Sequence, residues 1–289
     1  MTTSHTVEQP VELLTFVFAC HQDVKKNKVR QWLKYGSVKV NGRSITRYNH
    51  RLQAGDVVSI RGKEEVLSES LLPRGMTVLF EDKSLVVIEK PANLLSMATT
   101  RERNKTAYSY LTDYVRRGNP QSPKRVWIVH RLDRDTSGLM IFAKSEDAKQ
   151  VLQANWMQAE KCYLAVVEGD LPADSGELSS QRDESGPFAA DSAPPSKRTR
   201  LAVTNYRVLK RSADCALVEL TPQSGSRNQI REHLADAKCP IIGDRKHKAV
   251  TNPARRLGLH ASSLQFPHPL SGEILNFTSP LPRVLSRQV

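Results

Sequence analysis

Residues 126–143 read Val126-Trp127-Ile128-Val129-His130-Arg131-Leu132-Asp133-Arg134-Asp135-Thr136-Ser137-Gly138-Leu139-Met140-Ile141-Phe142-Ala143. The two ends, Val126–Val129 and Leu139–Ala143, are apolar runs with β-branched or aromatic members, and each predicts a buried strand. Between them, charge and turn formers are packed into a few residues, with Asp133 near the centre. Two rigid strands presenting a tight polar loop are a means of holding a reactive carboxylate in place. An ordinary surface turn would be less densely charged and less closely bracketed by apolar strands.

Working outward, Val78–Asp82 and Leu85–Lys90 predict strand, turn, strand, with Pro91 ending the ladder. Lys90-Pro91 is read as structural, with contact to the charged loop as the second reading. Downstream, a helix through Val151–Trp156 precedes an alternating strand, Lys161–Val167. From Leu171 to Arg200 the chain turns to Ser, Asp, Pro and Gly and ends in Lys197-Arg198, which predicts a mobile surface insertion. Strands are expected again at Leu201–Val208 and Leu217–Leu220. A loop, Thr221–Arg227, then leads into a helix that Asn228 is placed to N-cap.

The N-terminal part is a compact basic unit. Leu13–Val17 and Lys28–Tyr35 predict two short helices, the second ended by Gly36. Val38–Val40, the Asn41-Gly42 dipeptide and Ser44–Thr46 predict a hairpin with a type I′ turn, and Gly55–Ile60 a further turn and strand. From His21 through Arg51 there are nine Lys or Arg and one acid, Asp23. Surfaces tuned only for solubility intersperse both signs, so this bias points to phosphate contact. Lys25, Lys26, Lys28, Arg30, Lys34, Lys39 and Arg43 are the expected contacts. A boundary falls between Arg61 and Arg74, where the hydrophobic pattern breaks.

The whole chain of 289 residues has a formal charge of +13, which suits a polyanionic partner. No apolar run approaches the ~20 residues of a spanning helix. Met1–Glu8 has neither a basic n-region nor an apolar core, so no signal peptide is expected. Cys20, Cys162, Cys215 and Cys239 are scattered and read as reduced thiols of a cytoplasmic protein. No Walker loop, dinucleotide fingerprint or His-Glu-x-x-His occurs, so neither a cofactor nor a metal is expected.

His130–Leu139 resembles, without a break, the signature loop of the RluA-type pseudouridine synthases. The protein-kinase catalytic loop also begins His-Arg, but this chain has no Gly-rich phosphate loop and no Asp-Phe-Gly. Leu85–Pro91 is similar to the family's first block, with Asn93 where the family has Gly; Asn tolerates the left-handed backbone such a turn needs. Lys161-Cys162-Tyr163 resembles its Lys-x-Tyr block. Ser224–Arg231 matches a further block at Gly225, Gln229, Ile230 and Arg231, with Ser226 and Asn228 in place of an arginine and a histidine. Pro240–Asp244, Leu259–Ala261 and Phe266–Pro269 follow the family as well. The N-terminal unit resembles an S4 domain, a small RNA-binding module.

The resemblance implies an α+β protein: an S4-like αα-β module at 11–62, a linker at 63–76, and a mixed, largely antiparallel catalytic domain at 77–289 with the insertion at 171–200. It implies an isomerase that converts RNA uridine to pseudouridine, with Asp133 as catalytic carboxylate, Tyr163 against the uracil, and Arg231 pairing with Asp133 to keep it ionised. Arg131 would extrude the nucleotide or bind its phosphate, and Arg227 would replace the RNA contact missing at Ser226. Asp135 is read as a turn cap, and His260 and His268 as structural hydrogen-bonding residues. The expected substrate is large-subunit ribosomal RNA and the expected state a monomer. A tRNA substrate, a non-catalytic RNA-binding or ribosome-assembly factor on the same scaffold and an RNA or nucleoside N-glycosidase are the rival readings.

Overall fold

A computed structural model describes residues 3–22, 24–34, 37–60, 71–183 and 199–289. Residues 63–70 of the expected linker and 184–198 of the expected insertion lie outside the described residues. So do Gly36 and the Lys34 side chain. The chain forms two compact units, one of residues 1–72 and 113–122, the other of residues 73–112 and 123–289.

In the first unit, Asn41 (φ +49°) and Gly42 (φ +78°) both take the left-handed backbone that a type I′ turn demands. That turn joins β3 (Val38–Val40) to β4 (Arg43–Ser44). β3 also pairs with β6 (Val57–Ile60), and β6 with β1 (Thr3–Thr6), giving an antiparallel sheet in the order β1-β6-β3-β4. A separate two-residue pairing joins β2 (Val11–Glu12) to β5 (Arg51–Leu52). The Asn41 amide Nδ2 donates to Asp56 Oδ1 at 2.7 Å, and its Oδ1 accepts from Val57 N at 2.9 Å. One turn residue thus ties down the next turn.

Helices α1 (Leu13–Cys20) and α2 (Lys26–Lys34) bury Leu13 with Val17, and Val29 with Leu33. The four-residue spacing puts each pair on one stripe, and the stripes close over Val38, Val40, Val58 and Ile60. Full burial of each such side chain contributes about 1.5–3 kcal/mol. The same periodicity turns Lys26, Lys28 and Arg30 to solvent, with Lys25 and Arg43 also exposed and Lys39 half-buried.

The second unit is built on a mixed ten-stranded sheet. Its main path runs β12 (Ser175–Asp183), β13 (Thr199–Arg211), β14 (Cys215–Pro222), β11 (Glu160–Glu168), β15 (Leu259–Pro267), β10 (Ser137–Ala143), β8 (Leu85–Lys90), β7 (Thr77–Glu81). β9 (Trp127–Ile128) pairs with β10, and β16 (Ile274–Thr278) with β15. Every pairing is antiparallel except β10 with β15, which is parallel at Ser137↔His260 and Gly138↔Ala261. Gly138 is needed there: its φ is +115°, and a Cβ would collide with the Ala261 carbonyl.

Helix α3 (Ala107–Val115) lies between β8 and β9 in the chain, and α4 (Glu146–Ala154) between β10 and β11. α4 covers β8 and β10 through Ala148 and Leu152, in one core with Val87, Leu139 and Ile141. The second large core holds Val218, Leu220, Ala165 and Val167 under Ile230 and Leu234 of α5 (Gln229–Asp236).

Three sequence expectations are corrected. The helix expected at Val151 starts five residues earlier, because the Ser145 side chain accepts from Ala148 N and caps Glu146. The strand expected over Val126–Val129 shortens to Trp127–Ile128. Ser175–Asp183, inside the expected mobile insertion, is a regular edge strand in register with β13, from Ser175↔Arg207 to Asp183↔Thr199. Its polar side chains carry no strand signal; the neighbouring ladder supplies one.

Candidate active site

The loop between β9 and β10 is held from below by three independent anchors. Ser96 Oγ donates to Leu132 O at 2.6 Å and accepts from Leu132 N at 3.1 Å, while the Leu132 side chain is buried. His130 stacks on Trp156 at 4.3 Å, and its Nε2 accepts from Ile141 N at 3.1 Å. That bond requires an unprotonated Nε2, in keeping with burial, which pulls the ring's pKa down to about 3.

The third anchor is Lys90. Its side chain is fully buried, and Nζ donates to Pro91 O (3.0 Å), Leu94 O (2.7 Å) and, across the gap to the loop, Arg134 O (3.1 Å). Three carbonyls match the three protons of an ammonium. Burial nevertheless draws the lysine down to about 7, against the pull of Asp135 and Asp133. Lys90 is thus structural, and the loop is what it holds. Asn93 adopts φ +65°, as the expected substitution of Asn for Gly requires.

Asp133 emerges from this support half-exposed, with 24% of its side chain accessible. Arg231 of α5 reaches it: Nη1 donates to Asp133 Oδ2 at 3.0 Å. The other edge of the same guanidinium is clamped by Asp244, Nε to Oδ2 at 2.7 Å and Nη2 to Oδ1 at 2.8 Å. Nη1 also donates to Asn228 Oδ1 at 3.1 Å. Desolvation works against the buried guanidinium, but the two carboxylates outweigh it and raise its pKa. Burial likewise pushes Asp244 up, yet the bonds from Arg231 and His247 leave its carboxyl below the usual range. A planar fork fixed on one edge leaves its free corner pointing in one direction. Here that direction is Asp133.

Asn228 does not cap the helix as expected. It sits at φ +53° with no side-chain cap bond, and its amide oxygen serves Arg231 instead. Gln229 organises the helix start: its Oε1 accepts from Ser224 Oγ (2.6 Å) and Ser226 N (3.2 Å), and its Nε2 donates to Val203 O (2.9 Å). Asp135 is not a turn cap either; no side-chain cap bond from it is seen among the described residues. Desolvation lowers the pKa of the buried Lys90 and the half-buried Arg256, and the Asp135 charge opposes that shift at both.

Tyr163 lies on β11 where its register against β15 slips, between Cys162 and Tyr163. Such a bulge re-aims the next side chain. The ring is partly buried against the core beside Val218 and Leu220. Desolvation and the Asp133 charge both push its phenol upward, so it stays neutral beside the carboxylate. The structure thus brings Asp133, Arg231 and Tyr163 together. Arg131, two residues before Asp133, is half-buried, and Arg227 is exposed at the approach to α5. The seven cations from Lys25 to Arg43 belong to the first unit.

His260 Nδ1 meets Ser137 Oγ at 2.8 Å and Nε2 meets Ser279 Oγ at 3.0 Å; His268 Nε2 meets Asp82 Oδ2 at 2.8 Å. Both histidines are structural, as expected. Asp244 is visible in the sequence only as part of a Gly-Asp resemblance, and nothing in its spacing from Arg231 announces the clamp. Among the described residues no group of His, Cys, Asp or Glu is arranged to hold a metal ion, and no helix is long and apolar enough to cross a membrane.

Comparison with known proteins shows the family. Residues 84–236 match the family described as RNA pseudouridylate synthase, and residues 13–58 match the S4 domain. The uncharacterized RNA pseudouridine synthase YlyB of Bacillus subtilis (strain 168) is 31% identical over 281 residues, covering 95% of this chain and 91% of its own. The ribosomal large subunit pseudouridine synthase D of Neisseria meningitidis serogroup B is 30% identical over 275 residues, covering 90% and 73%. The solved structure of human RNA pseudouridylate synthase domain containing 4 superposes with a TM-score of 0.60 at 28% identity, covering 78% of this chain and 94% of its own. With its loop carboxylate, its paired arginine and an S4 domain ahead of them, the chain belongs to the RluA-type RNA pseudouridine synthases, isomerases of uridine in RNA.

Proposed function

We propose that this enzyme isomerises specific uridines of large-subunit ribosomal RNA, with Asp133 as the catalytic carboxylate. The observation that carries the site assignment is the Arg231–Asp133 contact. Arg231 bonds Oδ2, and Oδ1 has no hydrogen-bond partner among the described residues, so one oxygen is held while the other faces the substrate. Isomerisation breaks the bond from C1′ to N1, turns the uracil and forms a bond from C1′ to C5. The proton lost from C5 balances the one gained at N1, so nothing is consumed. The carboxylate supplies the nucleophile or charge that the cleavage needs. Arg231 holds it in place, and the neutral Tyr163 ring offers the base a flat surface.

A stacked uracil cannot reach Asp133, so the nucleotide is flipped out of its helix, with Arg131 and Arg227 on the RNA backbone. Lys25, Lys26, Lys28, Arg30, Lys34, Lys39 and Arg43 hold structured RNA through phosphates, adding affinity without base readout. The ribosomal substrate is supported by relatives named for the ribosomal large subunit, which align with about nine-tenths of this chain. Pseudouridine mapping across total RNA, with and without the gene, tests the reading. Loss of modification at large-subunit positions is expected; loss confined to tRNA would contradict it.

A further inference from the structure

Directly after Asp244 the chain makes one short helical turn, Arg245–His247, closed by Lys248 in the left-handed conformation (φ +70°). The turn has two faces. Inward, Asp244 is buried against Arg231, and His247 Nδ1 meets Asp244 Oδ2 at 2.9 Å. Outward, Arg245, Lys246 and Lys248 are all exposed. Main-chain bonds fix the turn: His247 N to Asp244 O at 2.9 Å, Ala249 N to Asp244 O at 3.1 Å, and Gly243 N to Thr251 O at 2.8 Å.

Some cations elsewhere on this unit carry acids. Arg207 pairs with Glu219 (2.7 Å), Lys149 with Glu146 (2.9 Å), Lys144 with Glu81 (2.8 Å) and Arg211 with Asp174 (2.8 Å). Arg245, Lys246 and Lys248 have no carboxylate within ion-pair distance among the described residues; the turn's only such contacts are those of His247. Three adjacent like charges repel one another, and a rigid turn does not let them spread. A polyanion laid across them relieves that repulsion. A merely solvated face has no reason to concentrate it one guanidinium away from Asp133.

We propose that the Arg245–Lys248 turn binds the phosphate backbone of the RNA strand that carries the reacting uridine. The inference rests on the proposed RNA reaction at Asp133 and places a backbone contact beside it. Asp244 is the link: it joins the turn to Arg231, so a strand bound on the outer face is registered against the carboxylate.

The test compares the intact protein, R245A/K246A/K248A and a charge-matched control, K149A/R207A/K210A, on an unmodified transcript of large-subunit ribosomal RNA. Binding is measured across a salt series and pseudouridine formation at subsaturating RNA. Each phosphate that the protein no longer neutralises shallows the slope of log K against log salt by about 0.7 for single strands and 0.9 for duplex. The turn variant should lose about two to three in slope, with weaker binding and slower subsaturating turnover. The control should lose less than one. An unchanged slope and affinity in the turn variant, or an equal change in both variants, would overturn the proposal. If the wild type makes no pseudouridine while the turn variant still loses its slope, the assigned reaction fails and the RNA surface stands.

Discussion

Arg231 and Asp244 are joined by two parallel hydrogen bonds, Nε to Oδ2 at 2.7 Å and Nη2 to Oδ1 at 2.8 Å, with the Asp244 side chain only 1% accessible. The consequence lies at the other edge of the guanidinium, where Nη1 meets Asp133 at 3.0 Å. Asp244→Asn keeps the shape but offers an amide donor where an acceptor is needed. The fork should tilt, and a misplacement of about 1 Å costs on the order of 100-fold in rate. Saturating turnover should fall by about 10- to 100-fold while RNA affinity stays within about threefold. A loss in affinity alone would place Asp244 in RNA binding instead.

Arg231→Met leaves Asp244 buried without its main partner. Breaking a buried pair from one side costs about 3–5 kcal/mol. In the wild type the Asp244 carboxyl is held below its ordinary value, so pairing stabilises the fold above pH ~4 and is lost on acidification. In the variant, burial dominates and the carboxyl rises. The stability deficit should therefore be largest at neutral pH and shrink toward pH ~4–5. Denaturant titrations at pH 7 and pH 5 check this; a deficit independent of pH would deny Arg231 its role as counter-charge.

Lys90→Met removes the donor from three carbonyls, one of them in the Asp133 loop. Pseudouridine formation should drop with the loop's order. The pH dependence has a definite sign. Folded Lys90 gives up its proton near pH 7, whereas the unfolded lysine keeps it to about 10.5, so the unfolded state holds more protons in between. Wild-type stability should rise relative to the variant from pH 7 to pH 9, by up to about 1.4 kcal/mol per unit. A difference that falls over that range would show that the ammonium form is the one the fold requires.

In the N-terminal unit, replacing Lys25, Lys26, Lys28 and Arg30 with Ala changes exposed residues and leaves the Val29–Leu33 stripe intact. RNA affinity should weaken, and the salt slope should shallow by about 0.7–0.9 for each phosphate no longer neutralised. Filter binding between low and moderate salt measures it. An unaltered slope would make this face a solvated one.

Much of this arrangement is legible in the residues themselves. Apolar runs around a charged loop announce Asp133, and Asn41-Gly42 announces its hairpin turn. Arg231 is found by block resemblance, since a contact across 98 residues leaves no trace in local spacing. Asp244 escapes for the same reason: a buried acid looks no different in sequence from an exposed one. Tyr163 is oriented by a register slip between two strands, which depends on the partner strand as much as on its own. Ser175–Asp183 reads as loop because its polar side chains suit solvent, and only β13 beside it makes it a strand. Asn228 misleads through a sound rule: Asn caps helices, but here its amide oxygen serves Arg231 and the helix start has no side-chain cap bond.

The central claim is that the Asp133 carboxylate drives the isomerisation, and Asp133→Asn tests it most directly. The substitution preserves size, and the amide oxygen can still accept from Arg231, so the loop and RNA binding should survive. Single-turnover pseudouridine formation on saturating large-subunit ribosomal RNA transcript should fall by at least about 1,000-fold, with RNA affinity within a few-fold of wild type. A rate within about tenfold of wild type would contradict the account.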